Sequence, residues 1–159
     1  MSEPRWLDES EARTWRAYRR MRALLDLQLG RDLASASGFS EADYDVLSNV
    51  SEAQGQRLRL SELSSLMFWS PSRLSHQVTR MEQRGLVARA DDESDARGAF
   101  VVLTDAGWEA IKAAAPGHVE SVRNHFIDLL TDDEVKVLGD ISEKVVEHLR
   151  DSQRVARTH

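Results

Sequence analysis

The chain has 159 residues, a net charge of −6 and no cysteine, which excludes a disulfide framework and thiol redox chemistry. Its length fits one domain with its own apolar core. The longest apolar run, residues 99–103, is too short to cross a bilayer. The N-terminus also lacks an apolar signal segment, so we expect a soluble cytoplasmic protein.

Two helices and a short extended segment are predicted in the first part of the chain. Apolar residues recur at spacings of three and four between about Glu11 and Leu33, which is typical of one face of an amphipathic helix. Ser40 is a favoured N-cap and is followed by acidic residues suited to a first helical turn. Residues 57–60 are predicted to be extended and to pair with a later strand.

The middle of the chain predicts two helices joined by a tight turn. The first is short and amphipathic and occupies residues 61–69. Ser70 and Pro71 then begin the second, because serine is a favoured N-cap and proline is pre-shaped for the first helical position. We expect this helix to reach Arg84 and to stop at Gly85, since glycine readily takes a left-handed conformation.

Two short strands are predicted next, at residues 86–90 and 99–103, with residues 91–98 as the connecting loop. Helix, turn, helix and hairpin in this order outline a winged helix-turn-helix, which lays its second helix in the DNA major groove. The predicted fold is therefore mainly α-helical, with a small β-wing and further helices at both ends of the chain.

Two more helices are predicted after the wing. Thr104 can cap a long one, which Pro116 and Gly117 are expected to kink or break. Residues 131–134 spell a capping box for the last helix, and the polar tail after Arg150 is expected to fray. The terminal helices can pack against a second copy, as in the common two-fold homodimers, or fold back onto their own domain. The last helix carries one apolar stripe: Leu138, Ile141, Val145 and Leu149.

Positive charge is concentrated in the predicted helix-turn-helix. Residues 57–90 hold six arginines and two glutamates, a net charge of +4, although the whole chain is acidic. This segregation favours contact between the second helix and phosphate. The wing is acidic instead, and we expect Asp91, Asp92 and Glu93 to repel phosphate and to turn their end of the wing away from DNA.

These segments together resemble the MarR family of bacterial transcription regulators. The most specific stretch, Asp95-Ala-Arg-Gly-Ala-Phe-Val-Val-Leu-Thr-Asp-Ala-Gly107, is similar to that family's wing and to the Leu-Thr-x-x-Gly start of its next helix. Residues 61–87 are similar to its helix-turn-helix. Ala96 departs from the family, in which a basic residue often stands there.

The resemblance implies a single MarR-like domain. Its winged lobe would span residues 35–104, and residues 5–34 and 105–150 would form a helical dimerisation lobe. It also implies a homodimer that binds a pseudo-palindromic DNA operator, usually as a repressor. Such proteins often release DNA when a small, frequently aromatic effector binds near the junction of the two lobes.

The candidate DNA contacts lie on the second helix and at the tip of the wing. Leu74, Val78 and Met81 share the side that must face the core, which leaves the opposite side for DNA. Arginine and glutamine can read bases through paired hydrogen bonds, whereas serines more often touch phosphate or cap helices. The predicted set is Ser70, Ser72, Arg73, Ser75, His76, Gln77, Arg80 and Arg97.

Arg97 is the strongest single candidate, because a guanidinium near a hairpin tip can enter a narrow minor groove. Asp95 can support it through a charge-assisted hydrogen bond or can pair instead with Arg89 on the adjoining strand. Aromatic residues with polar handles could also line an effector pocket, although aromatic residues at helical spacing more often belong to the core, and we favour the core for each of them individually. These aromatic residues are Trp15, Tyr18, Phe39, Tyr44 and Trp108.

The sequence contains no paired catalytic carboxylates, nucleophile constellation, phosphate loop or metal motif, so we expect neither an enzyme nor a cofactor. The histidines do not form a compact metal-ligand set either. The alternative to a DNA-binding regulator is a winged-helix protein–protein interaction module without DNA binding. The overall acidity and the acidic wing favour that alternative.

Overall fold

A computed structural model describes the backbone of residues 3–156 and the side chains of residues 3–152. This part of the chain contains two compact units, one ending at Ser121 and the other beginning at Val122. Short 3-10 turns lie at Gln54–Gln56 and Ile127–Leu129. The helices and strands are α1 (Glu9–Ser37), α2 (Glu41–Glu52), β1 (Arg57–Arg59), α3 (Leu60–Met67), α4 (Pro71–Gln83), β2 (Val87–Asp91), β3 (Ala99–Leu103), α5 (Asp105–His125) and α6 (Asp132–Ala156).

Serine caps begin α2 and α4 as the sequence predicts. Ser40 Oγ accepts a hydrogen bond from the Asp43 amide at 3.1 Å, and the Asp43 carboxylate accepts one from the Ser40 amide at 3.0 Å. Ser70 Oγ accepts from the Arg73 amide at 3.2 Å, with Pro71 at the first helical position. These side chains satisfy amides that have no partner inside the helix, and thereby fix where each helix begins.

Threonine caps begin α5 and α6, and both were predicted. Thr104 Oγ1 accepts from the Gly107 amide at 3.0 Å. Thr131 and Glu134 form the expected reciprocal box, with distances of 3.2 and 2.8 Å between each side chain and the other's amide. The ends of these helices are therefore set by residues close to them in sequence.

Helix α1 is longer than the apolar spacing predicts. It begins after a capping box formed by Asp8 and Glu11, and ends at Gly38, whose φ of 74° is left-handed. The residues between Leu33 and Gly38 are alternating alanines and serines, which bring no large apolar side chain, but nothing in them stops a helix. The first residue that does is Gly38.

Helix α5 does not break at Pro116. It is continuous from Asp105 to His125 with the proline inside it. Proline removes one backbone hydrogen bond and crowds the preceding turn. Here three consecutive alanines, residues 113–115, precede it. Their small side chains and high helix propensity favour continuation of the helix.

The three strands form one antiparallel sheet in the order β1-β3-β2. Arg59 pairs with Phe100, and Val87 pairs with Leu103. The segment at residues 57–59 is thus the predicted third strand. Helices α3 and α4 with this hairpin complete a winged helix-turn-helix, as the sequence predicts.

One face of α4 packs into the core of this winged part of the chain. Leu74, Val78 and Met81 are fully buried, as predicted from their spacing. Burial of three apolar side chains on one helical face stabilises the fold and also sets the rotation of the helix about its axis. Their fully buried neighbours from α2, α3 and β3 are Val46, Leu47, Val50, Leu63 and Val101.

Both terminal helices carry exposed apolar side chains. On α6 three residues of the predicted stripe, Ile141, Val145 and Leu149, are about half open to solvent, whereas Leu138 is partly buried. No helix within the described residues is long and apolar enough to cross a membrane. The exposed apolar side chains of α1 include Trp15, Tyr18, Met21, Leu24 and Leu27.

Gly107, in the first turn of α5, is a point of close backbone contact. A Cβ atom there would lie 2.0 Å from the carbonyl oxygen of Leu86. We therefore expect Gly107→Ala to lower the free energy of unfolding by about 3 kcal/mol, measured by urea denaturation. Gly117→Ala, where an added Cβ meets nothing within 4 Å, is the matched control on the same helix. Equal stability of the two variants would contradict this packing.

Candidate nucleic-acid interface

The outward face of α4 presents most of the residues predicted to contact DNA. Ser72, Arg73, His76 and Arg80 are exposed, on the side opposite the buried Leu74. Ser70 and Ser75 are exposed as well, the first as the N-cap of the helix. The structure therefore places a cationic, hydrogen-bonding surface on the second helix of the motif.

Arg73 is held over an aromatic ring at the start of α4. Its guanidinium carbon lies 3.9 Å from the centre of the Trp69 ring. Trp69 is itself anchored, because the Ser64 hydroxyl donates a 2.6 Å hydrogen bond to its carbonyl oxygen. Phe68 adopts a left-handed φ of 54°, which lets the chain turn between α3 and α4. A cation–π contact of this kind orders the arginine while leaving its N–H groups available to a partner.

Gln77 lies apart from this exposed set. Its side chain is buried, and its amide nitrogen donates a 2.7 Å hydrogen bond to Asp43. Its amide oxygen accepts a 2.7 Å hydrogen bond from Arg80. This placement corrects the expectation that Gln77 lies on the exposed flank of the helix. Spacing alone put it beside Arg73 and Arg80, but a polar partner on α2 draws its side chain inward.

Asp43 is a buried carboxylate between α2 and α4. Arg84 donates a 2.8 Å hydrogen bond to it from just beyond the end of α4. Burial would raise the pKa of the Asp43 carboxyl, but hydrogen bonds from Arg84 and from the Ser40 amide outweigh burial and lower its pKa below the ordinary value. Asp43 is therefore ionised when Gln77 binds to it.

The base of the wing is held by Asp92, which is buried and paired with Arg59. The Arg59 Nε atom donates to the Asp92 carboxylate at 2.6 Å, and the Ser94 hydroxyl donates to the same carboxylate at 2.6 Å. The hydrogen bond from Arg59, with that from Ser94, lowers the pKa of Asp92 to about 2. This pairing corrects the expectation that the charge of Asp92 is free to repel phosphate.

Arg97 is exposed near the tip of the hairpin. Asp95 accepts a 3.0 Å hydrogen bond from the Arg97 amide, so it supports the loop backbone. Within the described residues, the Asp95 carboxylate does not form the expected contact with the Arg97 guanidinium. Among the described residues no ion pair holds the guanidinium of Arg97, whereas its amide is fixed in the turn by Asp95.

Arg89 pairs with residues of α4, which corrects the expected alternative pairing with Asp95. Its guanidinium forms an ion pair with Glu82 and donates to the carbonyl oxygen of Ser75 at 2.8 Å. It also donates to Ser75 Oγ at 3.1 Å. Arg89 thus ties strand β2 to helix α4.

Two further arginines lie against one aromatic ring of the sheet. The guanidinium carbons of Arg57 and Arg59 lie 3.8 and 5.2 Å from the centre of the Phe100 ring. Arg57 is exposed. The sequence shows the positive charge of residues 57–90, but Arg57 and Arg59 are not among the DNA contacts predicted from it. Their cross-strand position opposite the wing depends on the pairing of β1 with β3, which spacing alone does not reveal.

The candidate pocket aromatics do not form one ring cluster among the described residues. Trp15 and Tyr18 stack on each other on α1, with ring centres 5.8 Å apart, and both are about half exposed. Phe39 belongs to the buried core. Tyr44 contacts the ring of His118 at 4.2 Å, and Trp108 is partly buried beside the core.

No group of three or more histidine, aspartate and glutamate side chains that could hold a metal ion occurs among residues 3–152.

Three comparisons with known proteins agree with this architecture. The model of the MarR family matches residues 37–98. The crystal structure of AbsC, a MarR family transcriptional regulator from Streptomyces coelicolor, is 44% identical with a TM-score of 0.90, over 93% of this chain and 99% of that one. The structure of Sco3205 from the same organism, a MarR family transcriptional regulator in complex with DNA, is 42% identical with a TM-score of 0.90, over 92% of each chain.

A regulator known by sequence matches as well. The transcriptional regulator HosA of Escherichia coli is 26% identical over 132 residues, covering 82% of this chain and 95% of HosA. The fold and the exposed cationic helix define a winged helix-turn-helix protein. The identity to AbsC over nearly both whole chains goes further: this chain belongs to the MarR family of transcriptional regulators.

The Arg59–Asp92 pair gives a pH-dependent prediction. Because the pKa of Asp92 is lower in the folded protein than its ordinary value of 3.8, the pair's contribution to stability is complete above that value and is lost as pH falls towards about 2. We expect Arg59→Gln to shift the Asp92 titration, followed by carboxyl NMR, back towards 3.8. Glu62→Gln removes only the longer 3.7 Å ion pair of Arg59 and should leave the titration near 2. An unchanged midpoint in Arg59→Gln would show that Asp92 is stabilised by other groups.

Proposed function

We propose that the protein is a homodimeric, sequence-specific DNA-binding transcriptional regulator that acts as a repressor and is released from DNA by a small-molecule effector. In this proposal α4 enters the major groove and the tip of the wing contacts the minor groove beside it. The operator is pseudo-palindromic, since a two-fold dimer presents two equivalent helices. The proposed function involves no catalysis.

The observation that carries the proposal is the exposed, preordered Arg73 at the start of α4. Its stacking on Trp69 limits the side-chain entropy lost on binding, while its N–H groups can still reach a guanine edge or a phosphate. Sco3205, which is similar over nearly its whole length, has been crystallised with DNA. Both facts favour the same use for this helix.

A homodimer is supported by the apolar side chains that α1 and α6 expose. The stripe on α6 includes Ile141, Val145 and Leu149, each about half open to solvent in a single chain. Contiguous apolar surface of this kind marks an interaction site. We propose that the corresponding helices of a second copy cover it, which also supplies the second DNA-binding lobe.

Effector release is supported by a buried polar atom beside Tyr44, one of the candidate pocket aromatics. His118 Nδ1 is buried and has no hydrogen-bond partner among the described residues, and its ring lies against Tyr44. Buried polar atoms in proteins nearly always have partners. A small aromatic ligand with a hydrogen-bonding group would supply one here, with the Tyr44 ring as an aromatic wall.

The alternative is a protein–protein interaction module that uses the same lobe. Leu66 and Phe68, beside the start of α4, are both more than half exposed, and they favour this use. It loses one of its arguments, however, because Asp92 in the acidic wing is paired with Arg59. A partner protein that masks Arg73 while the purified protein binds no DNA would favour the alternative.

DNA binding is tested with duplexes selected from random sequence. We expect Arg97→Ala to weaken binding about tenfold and to lower the slope of log K against log salt by about 1, because one cationic contact is lost. Arg73→Ala should in addition relax preference at one base pair by about 1–3 kcal/mol. Fluorescence anisotropy at several salt concentrations measures both effects.

The control for these variants is Arg13→Ala, which removes the same charge from an exposed position on α1. It should bind as the unsubstituted protein does. If the unsubstituted protein selects no sequence at low salt, DNA-binding regulation is excluded as its function.

The dimer is tested on α6. We expect Ile141→Asp to convert the dimer into a monomer of 18.0 kDa, because a carboxylate on the apolar stripe would have to be buried without a partner. Sedimentation velocity measures the mass. Glu143→Ala, on the opposite side of the helix, is the control and should remain dimeric. Monomeric unsubstituted protein at micromolar concentration would contradict the proposal.

A further inference from the structure

A continuous line of polar contacts runs from the start of α2 to the exposed face of α4. It begins at the buried Asp43 carboxylate, whose Oδ1 atom accepts a hydrogen bond from Gln77 Nε2 at 2.7 Å. The other end of the same amide, Gln77 Oε1, accepts from Arg80 Nη2 at 2.7 Å. Arg80 is exposed, beside the residues proposed to contact DNA. The line therefore connects the interior of the protein with that surface.

The chemistry of the groups fixes the direction of this line. An ionised carboxylate can only accept hydrogen bonds, so the amide of Gln77 must turn its NH₂ group towards Asp43. Its oxygen then points outward and can bind only a donor. Arg80 is the donor it binds. The charge of Asp43 thus determines, through one amide, where the guanidinium of Arg80 is held.

Asp43 is itself held from two sides. Its Oδ2 atom accepts from Arg84 Nη1 at 2.8 Å and from the Ser40 amide at 3.0 Å. Its amide is bound by the Ser40 hydroxyl in the α2 cap. The carboxylate therefore has little freedom to move, and an amide bound to it is fixed as well.

We propose that Gln77 and Asp43 are positioning residues that preset the Arg80 guanidinium for a DNA phosphate. The proposal rests on the DNA-binding function proposed above and assigns a role to two residues that need not touch DNA. Arginine carries a large rotamer entropy, and holding it before binding reduces the entropy that binding must remove. In this proposal Gln77 acts through Arg80, which makes the contact with the phosphate.

The main test is Gln77→Met, which keeps the length and apolar stem of the side chain and removes both hydrogen bonds. We expect this variant to bind the selected duplex about fivefold more weakly, roughly the effect of one lost hydrogen bond. Gln83→Met, at an exposed position at the end of the same helix, is the matched control and should bind normally. Anisotropy titrations measure affinity, and thermal unfolding followed by circular dichroism confirms that each variant is folded.

A double-mutant cycle with Arg80→Gln separates positioning from a general loss of structure. If Gln77 acts through Arg80, Gln77→Met should cause no further loss of affinity once Arg80 has been replaced. Equal loss in both backgrounds, or no loss in either, would overturn the proposal. Failure of the unsubstituted protein to bind any duplex is a different result, because it removes the DNA-binding function and not this line of contacts alone.

A measurement on the unsubstituted protein does not depend on how the variants fold. The line of contacts requires Arg80 to be ordered before DNA is added. We expect the heteronuclear NOE of Arg80 Nε to be higher than that of Arg97, whose guanidinium has no partner among the described residues. Equal, low values for the two arginines in the free protein would overturn the proposal.

Discussion

The burial of one side of α4 is the constraint on which the DNA-facing surface depends. Leu74, Val78 and Met81 have no solvent exposure, so α4 cannot rotate about its axis without exposing apolar surface to water. Once that rotation is fixed, Arg73 and His76 must face outward. The outward face therefore follows from the packing of the inward one, and the chemistry of the surface is set without any contribution from a ligand.

Polar contacts add a second level of order to this packing. Asp43 and Asp92 add to the negative net charge of the chain, which by itself disfavours DNA binding. Each of them, however, is buried and paired with an arginine. Paired and hydrogen-bonded carboxylates of this kind do not project negative charge as exposed ones do. The negative net charge of the chain is thus compatible with a cationic surface on α4, because some of its carboxylates are buried and paired with arginines.

Local signals made much of the fold predictable. The caps at Ser40, Ser70, Thr104 and Thr131 depend on residues within three positions, and the core face of α4 depends on helical spacing, so sequence sufficed for both. Gln77 shows where this information ends, since its partner on α2 lies 34 residues away and outweighs its place on the helical wheel. Likewise, nearness in sequence suggested Asp95 as the partner of Arg97, and the adjoining strand suggested it for Arg89. Arg89 instead contacts Glu82 and Ser75, because the fold packs β2 against α4. Of the kink or break expected at Pro116, the break does not occur, because the surrounding turns of α5 outweigh one missing hydrogen bond.

Arg59 belongs to three elements at once. It is the last residue of β1, its amide donates a hydrogen bond to the Glu62 carboxylate in the first turn of α3, and its guanidinium holds Asp92 at the base of the wing. A shift of the first helix of the motif must therefore carry the hairpin with it. If the helix-turn-helix and the hairpin contact one duplex, the distance between their two contacts is fixed. An operator whose groove spacing differs from that distance must deform on binding, and the stiffness of its base steps then contributes to recognition.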